Sequence, residues 1–205
     1  MNIKNMYCEY QCNPLGIDIL RPRLSWEINA VELGANQQAY RIIAAQNQEL
    51  LRECKSLLWD TGKVESDESS QILYHGPPLQ SRQRVYWRVK VWDNHNDGGF
   101  WSPFAWFEMG LLKPEDWVAA WVESDLVGDA NTPAPCPFFQ KRFTLCQKTI
   151  KARLYITALG LYEAFINGER VGKDVFSPGW TDYNQRIYYQ IHDVSQHLIK
   201  GENCI

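Results

Sequence analysis

At 205 residues the chain is long enough for one large β domain or two of ordinary size, with a real core in either case. A net charge of -3, 45% apolar and 22% charged residues describe a globular chain that lacks the basic surface nucleic acid or an anionic membrane would require, so neither is expected as a partner. No apolar stretch reaches membrane-spanning length, and "MNIKNMYCEYQCNPLG" carries neither the apolar core nor the cleavage site of an export signal; the expectation is a soluble, cytoplasmic protein.

In that compartment Cys8, Cys12, Cys54, Cys136, Cys146 and Cys204 are expected as free thiols, since a chain of this length needs no staples. The close pairs Cys8/Cys12 and His192/His197 lack the second half of a zinc site. No metal and no cofactor are therefore expected.

From Pro22 onward, runs at strand spacing dominate: "RLSWEI", "AYRIIAAQ", "VYWRVKVWD" and "FAWFEMG". In "VYWRVKVWD", Val85, Trp87, Val89 and Val91 share one face and Tyr86, Arg88 and Lys90 the other, the period-2 pattern of a half-buried strand. Trp26 and Trp87 are assigned to the core. In "NQELLRECKSLLW", Leu50, Leu51, Cys54, Leu57 and Leu58 recur at helical spacing and predict a short helix across one end of the sheet. "DNHNDGG", residues 93–99, offers Asp93, Asp97 and Gly98 at calcium-loop offsets, but His95 and Phe104 occupy ligand positions, so a polar hairpin loop is expected. With "FWSPFAWFEMG" after it, the segment resembles the last two strands of a fibronectin type III sandwich. In "LLKPEDW", Pro114 can start a helical turn, and a domain boundary is placed there: residues 1–111 and 112–205. Beyond it, "AAWVES", "FFQKRFTL" and "IKARLYITA" read as strands around the Pro-rich loop "NTPAPCP", followed by a hairpin in which Tyr162, Ala164 and Ile166 share a face and Asn167-Gly168 supplies a type I′ turn.

Several stretches together carry a family likeness: "CNPLGIDILRPRLSWEI", "LLWDTGKVESDESSQILYHGPPLQSRQRVYWRVKVWD", "FEMGLL", "KARLYITALGLYEAFINGERVG", "SPGWTDYNQRIYYQIHDVS" and "LIKGEN". They resemble the N-terminal region of bacterial α-L-rhamnosidases of glycoside hydrolase family 78. The resemblance implies an all-β chain of two β-sandwiches: a fibronectin type III-like domain over 1–111, then a galactose-binding-like jelly roll over 112–205. It also implies that catalysis belongs to a downstream (α/α)6 barrel whose carboxylates invert the anomeric centre. No catalytic residue is assigned here, and this chain alone is expected to be inactive. A jelly roll uses about eight strands, and five or six are readable before "GENCI", where Cys204-Ile205 looks like the start of another. A fragment of a longer enzyme is the expectation. Its partners would be that barrel and a rhamnose-containing carbohydrate.

The best candidate for ligand contact is "SPGWTDYNQR", residues 177–186. A Pro178-Gly179 turn would present Trp180 and Tyr183 for stacking on sugar C–H groups, with Asp182 and Arg186 for hydroxyls. The competing reading makes the two aromatics packing groups and the two charges a salt bridge across the turn. The functional alternatives are accessory domains of a rhamnosidase, a stand-alone carbohydrate-binding module, and a structural sandwich pair used for docking.

Overall fold

Strand alternation builds the first half of the chain. The computed structural model describes residues 2–29, 34–94 and 96–205, which divide into two compact units, Met1–Trp117 and Val118–Ile205. The first opens with β1 (Asn2–Cys8), β2 (Leu15–Ile17), β3 (Arg23–Asn29) and β4 (Gln37–Ala45). It continues through helix α1 (Gln48–Glu53) and the short strands β5 (Trp59–Asp60), β6 (Val64–Glu65) and β7 (Ile72–Leu73). It closes with β8 (Arg84–Asp93), β9 (Asn96–Trp101) and β10 (Ala105–Met109). One sheet runs β1-β3-β7; the other runs β2-β10-β8-β4-β5, with β6 also on β4 and β9 on β8.

The inward face of β8 is as expected: Val85, Trp87, Val89 and Val91 are fully buried among Leu24 and Trp26 of β3 and Tyr40, Ile42 and Ala44 of β4. The polar edge of Trp26 in this layer is satisfied: its Nε1 donates to Gln37 Oε1 at 3.1 Å, and the Gln37 amide donates to the Ser66 and Glu68 carbonyls. The outward face of β8 alternates cations with rings. Arg84 lies 3.9 Å from the Trp106 ring centre while its Nε pairs with the buried Glu108 at 2.8 Å. Farther along, Arg88 sits over Trp101 and Phe104, and Lys90 over Trp92.

Helix α1 starts where Asn47 Oδ1 accepts the Leu50 N–H at 2.9 Å and stops at Cys54, which is left-handed at φ 50°. Leu51 is buried against Ile43 and Ala45, with Leu50 and Leu57 beside it. The predicted helical stripe is shorter than expected: Leu58 lies beyond the helix and packs against the main core instead. The expected polar loop over 93–99 is also corrected. The ladder continues to Asp93 opposite Asn96, so most of that segment is strand; His95 and the side chains of Asn96 and Asp97 lie outside the described residues. The turn read at Pro114 is a 3-10 turn over Pro114–Asp116.

The second unit contains β11 (Arg142–Leu145), β12 (Arg153–Ile156), β13 (Phe165–Ile166), β14 (Glu169–Arg170), β15 (Gln190–Asp193) and β16 (Gly201–Cys204). They pair antiparallel as β11-β16, β12-β15 and β13-β14. Ala164, Ile166, Val171 and Val194 form its buried centre, with Leu154, Ile156 and Tyr162 against them, as the hairpin reading anticipated. Asn167 and Gly168 have φ 52° and 84°, the two positive values a type I′ turn needs. "AAWVES" is not a strand: Trp121 and Val122 are exposed in irregular chain, and the strand in "FFQKRFTL" begins only at Arg142. Cys204 ends a strand rather than beginning one, and Ile205 and Lys141 extend its ladder through reciprocal backbone bonds of 2.8 and 3.0 Å. All six cysteines are free thiols. Among the described residues, no helix is long and apolar enough to cross a membrane.

Candidate functional site

The segment 177–188 is a sequence of tight turns, and its backbone bonds explain where its side chains go. Gly179, at φ 96°, occupies a conformation that suits glycine, and its N–H donates to the Phe176 carbonyl at 3.0 Å. The chain then emerges with Trp180 at 88% exposure. A second turn follows at Asp182, whose carbonyl accepts from the Gln185 and Arg186 N–H groups at 2.9 and 3.0 Å. The Asp182 carboxylate accepts from the Asn184 N–H at 3.0 Å, the local bond that makes Asp a turn former.

These turns bring the four sequence-predicted residues together with distinct roles. Trp180 and Tyr183 stack with ring centres 6.5 Å apart and planes 12° from parallel. Tyr183 is the anchored member of that pair, because its hydroxyl accepts the Gly160 N–H at 2.9 Å. Arg186 and Asp182 do not form the salt bridge of the competing reading; each takes a partner of its own. The Arg186 guanidinium donates to the Tyr188 hydroxyl at 2.8 Å and lies 4.9 Å from that ring's centre, and the Thr181 hydroxyl donates to the Arg186 carbonyl at 2.6 Å.

An open depression of about 480 Å³ results, lined by Trp180, Thr181, Asp182, Gln185, Arg186 and Tyr188. Tyr183 backs Trp180 rather than lining it. Sequence reasoning missed Thr181, Gln185 and Tyr188. The signal for Tyr188 was its spacing of two from Arg186, which sets side chains on one side of extended chain, but "RIYYQ" also reads as an ordinary strand. Chemically, the depression offers an aromatic face for C–H groups with a carboxylate, an amide and a guanidinium to exchange hydrogen bonds with hydroxyls. Among the described residues, no group of three or more His, Cys, Asp or Glu side chains is placed to hold a metal ion.

Comparison with known proteins places this geometry in context. Residues 3–113 match the family described as "Rha78A-like, N-terminal immunoglobulin domain", and residues 147–205, which include the depression, match "Alpha-L-rhamnosidase N-terminal domain". An alpha-L-rhamnosidase of Formosa agariphila is 40% identical over 199 residues, covering 94% of this chain and 21% of that protein. One from Alteromonas sp. (strain LOR) is 35% identical, covering 94% and 22%. Among solved structures, the alpha-L-rhamnosidase from Dictyoglumus thermophilum superposes with a TM-score of 0.88 at 35% identity, covering 100% of this chain and 24% of that one. The Streptomyces avermitilis alpha-L-rhamnosidase complexed with L-rhamnose superposes with a TM-score of 0.83 at 24% identity, covering 99% and 36%, a likeness of fold. The chain spans about a fifth of the length of the curated relatives it matches.

Proposed function

Because this chain belongs to the family of Rha78A-like N-terminal immunoglobulin domains, we propose that it serves as the accessory, non-catalytic N-terminal region of an α-L-rhamnosidase. The observation that carries this reading is the order of the two matches: an immunoglobulin-like N-terminal domain over 3–113 is followed by an α-L-rhamnosidase N-terminal domain over 147–205. In this reading the chemistry belongs to a helical (α/α)6 barrel elsewhere in the longer polypeptide, where two carboxyls about 6.5–9.5 Å apart would activate water and protonate the leaving oxygen with inversion. The two units support that barrel, and the depression at Trp180 contacts the rhamnose-containing substrate. Six free thiols are in keeping with the reducing cytoplasm as the place of work.

The purified chain is expected to leave an aryl α-L-rhamnoside intact at every pH, and turnover that persists through repurification would overturn the reading. A second reading, a stand-alone carbohydrate-binding module, is favoured by one observation: Trp180 presents nearly all of its ring to solvent on a stacked, anchored partner. Titration with L-rhamnose is expected to saturate in either reading and to weaken roughly fivefold to thirtyfold in Trp180→Ala, in line with roughly 1–2 kcal/mol for a lost aromatic face.

A further inference from the structure

Directly behind the Trp180 turn lies a set of polar side chains that the contact site itself does not use. Gln190 and His192 alternate onto the same side of β15. The Gln190 Nε2 donates to the Pro178 carbonyl at 3.1 Å, and the Tyr162 hydroxyl lies 2.9 Å from Gln190 Oε1 and 3.2 Å from His192 Nε2. These contacts assign the donors and acceptors along the chain. A carbonyl only accepts, so the Gln190 amide must face Pro178 with its NH₂ and Tyr162 with its oxygen. The phenol therefore spends its one proton on Gln190, and His192 must supply an Nε2–H to the phenol oxygen. The order is His192 to Tyr162 to Gln190 to the backbone of the turn that carries Trp180.

The imidazole is held in place from the other side. At Gly172, φ 76°, an added Cβ would come within 2.7 Å of His192 Cε1, so the ring lies directly against that backbone. Two further bonds tie the same loops together: the Tyr162 N–H to the Ser177 carbonyl at 2.9 Å, and the Gly160 N–H to the Tyr183 hydroxyl. The charged groups around His192 are Asp174, which favours its protonated form, and, next along β15, Asp193, paired with Arg153 at 2.8 Å. Burial outweighs Asp174 and holds the imidazole below its usual range.

We propose that Tyr162, Gln190 and His192 are positioning residues for the Trp180 platform, a one-way hydrogen-bond chain that sets the turn and transmits the protonation state of His192 to it. The proposal rests on the reading of 177–188 as a carbohydrate contact for its purpose, but not for its mechanism. Protonation of Nδ1 puts a charge on the ring beside Gly172 and strengthens the Nε2–H donor, so the chain downstream must readjust.

The test uses the 205-residue chain and reads the indole N–H resonance of Trp180, identified by its absence in Trp180→Phe. Expected is a titration of that resonance with the same midpoint as the His192 ring protons, lost in Tyr162→Phe and in Gln190→Leu. Gln190→Leu removes both the acceptor for Tyr162 and the donor to Pro178 and adds no titrating group, so it should match Tyr162→Phe. A Trp180 resonance that ignores the His192 titration in the unmodified chain, or that still follows it in Tyr162→Phe, overturns the proposal. Thermal denaturation of each variant separates loss of coupling from loss of fold. L-Rhamnose titration is a separate arm: absence of binding with the coupling intact removes the carbohydrate reading and leaves the relay standing.

Discussion

Cys8 and Cys54 show how one residue type acquires two characters. Cys8 is buried in the core of the first unit, where burial, with Glu9 as a lesser contribution, pushes its thiol far above the ordinary range. Cys54, by contrast, ends α1 in the left-handed region, exposed. Since the thiolate is the reacting species, a thiol-specific chromogenic reagent at pH 8 should label Cys12, Cys54, Cys136 and Cys146 rapidly and Cys8 only on unfolding. Mass mapping that finds Cys8 modified in the folded chain would contradict this burial. A second residue-scale prediction concerns Glu108, whose side chain is 2% exposed and paired with Arg84. Removing one partner of such a pair strands the other, at about 3–5 kcal/mol. Glu108→Ala should therefore shift the denaturation midpoint of the first unit strongly, whereas Lys63→Ala, which breaks a pair half in solvent with Glu65, should change it by less than about 1 kcal/mol.

At the scale of elements, the hairpin β13-β14 is tied to β16 by two asparagines. Asn167 at the turn exchanges bonds with Cys204: its N–H donates to the Cys204 carbonyl at 2.8 Å and its Oδ1 accepts the Cys204 N–H at 2.9 Å. Its Nδ2 donates to the His197 carbonyl and to Asn203 Oδ1. Asn203, 1% exposed, uses its whole amide: its oxygen accepts from Ile199 N–H and Asn167, and its nitrogen donates to the Ile199 and Gly201 carbonyls. In this chain "ING" and "GEN" are therefore one structural unit: each asparagine completes the other. Asn203→Leu leaves several of these groups without partners at about 1–3 kcal/mol each. It should destabilise the second unit by more than about 3 kcal/mol in urea while the first unit's transition stays in place. A shift confined to the first unit would refute the lock.

β8 was legible because four apolar positions alternate over a full-length strand, and the type I′ turn because Asn-Gly is chemically specific to it. "AAWVES" misled because a short apolar run carries no record of whether a partner strand exists to pair with it. The turn over 177–186 and the exposure of Trp180 on it were legible from Pro-Gly. Its floor at Tyr188 and the relay behind it were not, since Tyr162 and Gln190 meet only through the fold.

For the whole molecule, the decisive contrast is between the two units. The first buries Trp87, Tyr74, Phe107, Ile42 and their neighbours in one continuous core. The second has a centre of four small or medium residues, sheets of two strands each, and large apolar groups such as Phe138, Ile150 and Phe176 in solvent. Two-stranded sheets are marginal without a third strand or a covering layer, and each buried large side chain contributes about 1.5–3 kcal/mol. Unfolding in urea should therefore occur in two steps, the second unit first, resolved by hydrogen exchange at Ile166 and at Val89. The pH dependence should separate them further. His192 has its folded pKa lowered by burial, so the unfolded state binds more protons than the folded one below about pH 6.5, and stability is lost as pH falls through that range. In the first unit two carboxylates are depressed by arginine partners: hydrogen bonds from Arg23 hold Glu9 down, and those from Arg41 hold Asp60 down. Their contribution is complete above about pH 5 and is lost progressively below it. Between pH 7 and pH 5 the first midpoint should fall and the second should stay, and His192→Gln should abolish the difference. Midpoints that fall together over that interval would mean that the two units unfold as one body, with the burial of Trp87 and the exposure of Phe176 belonging to a single cooperative structure.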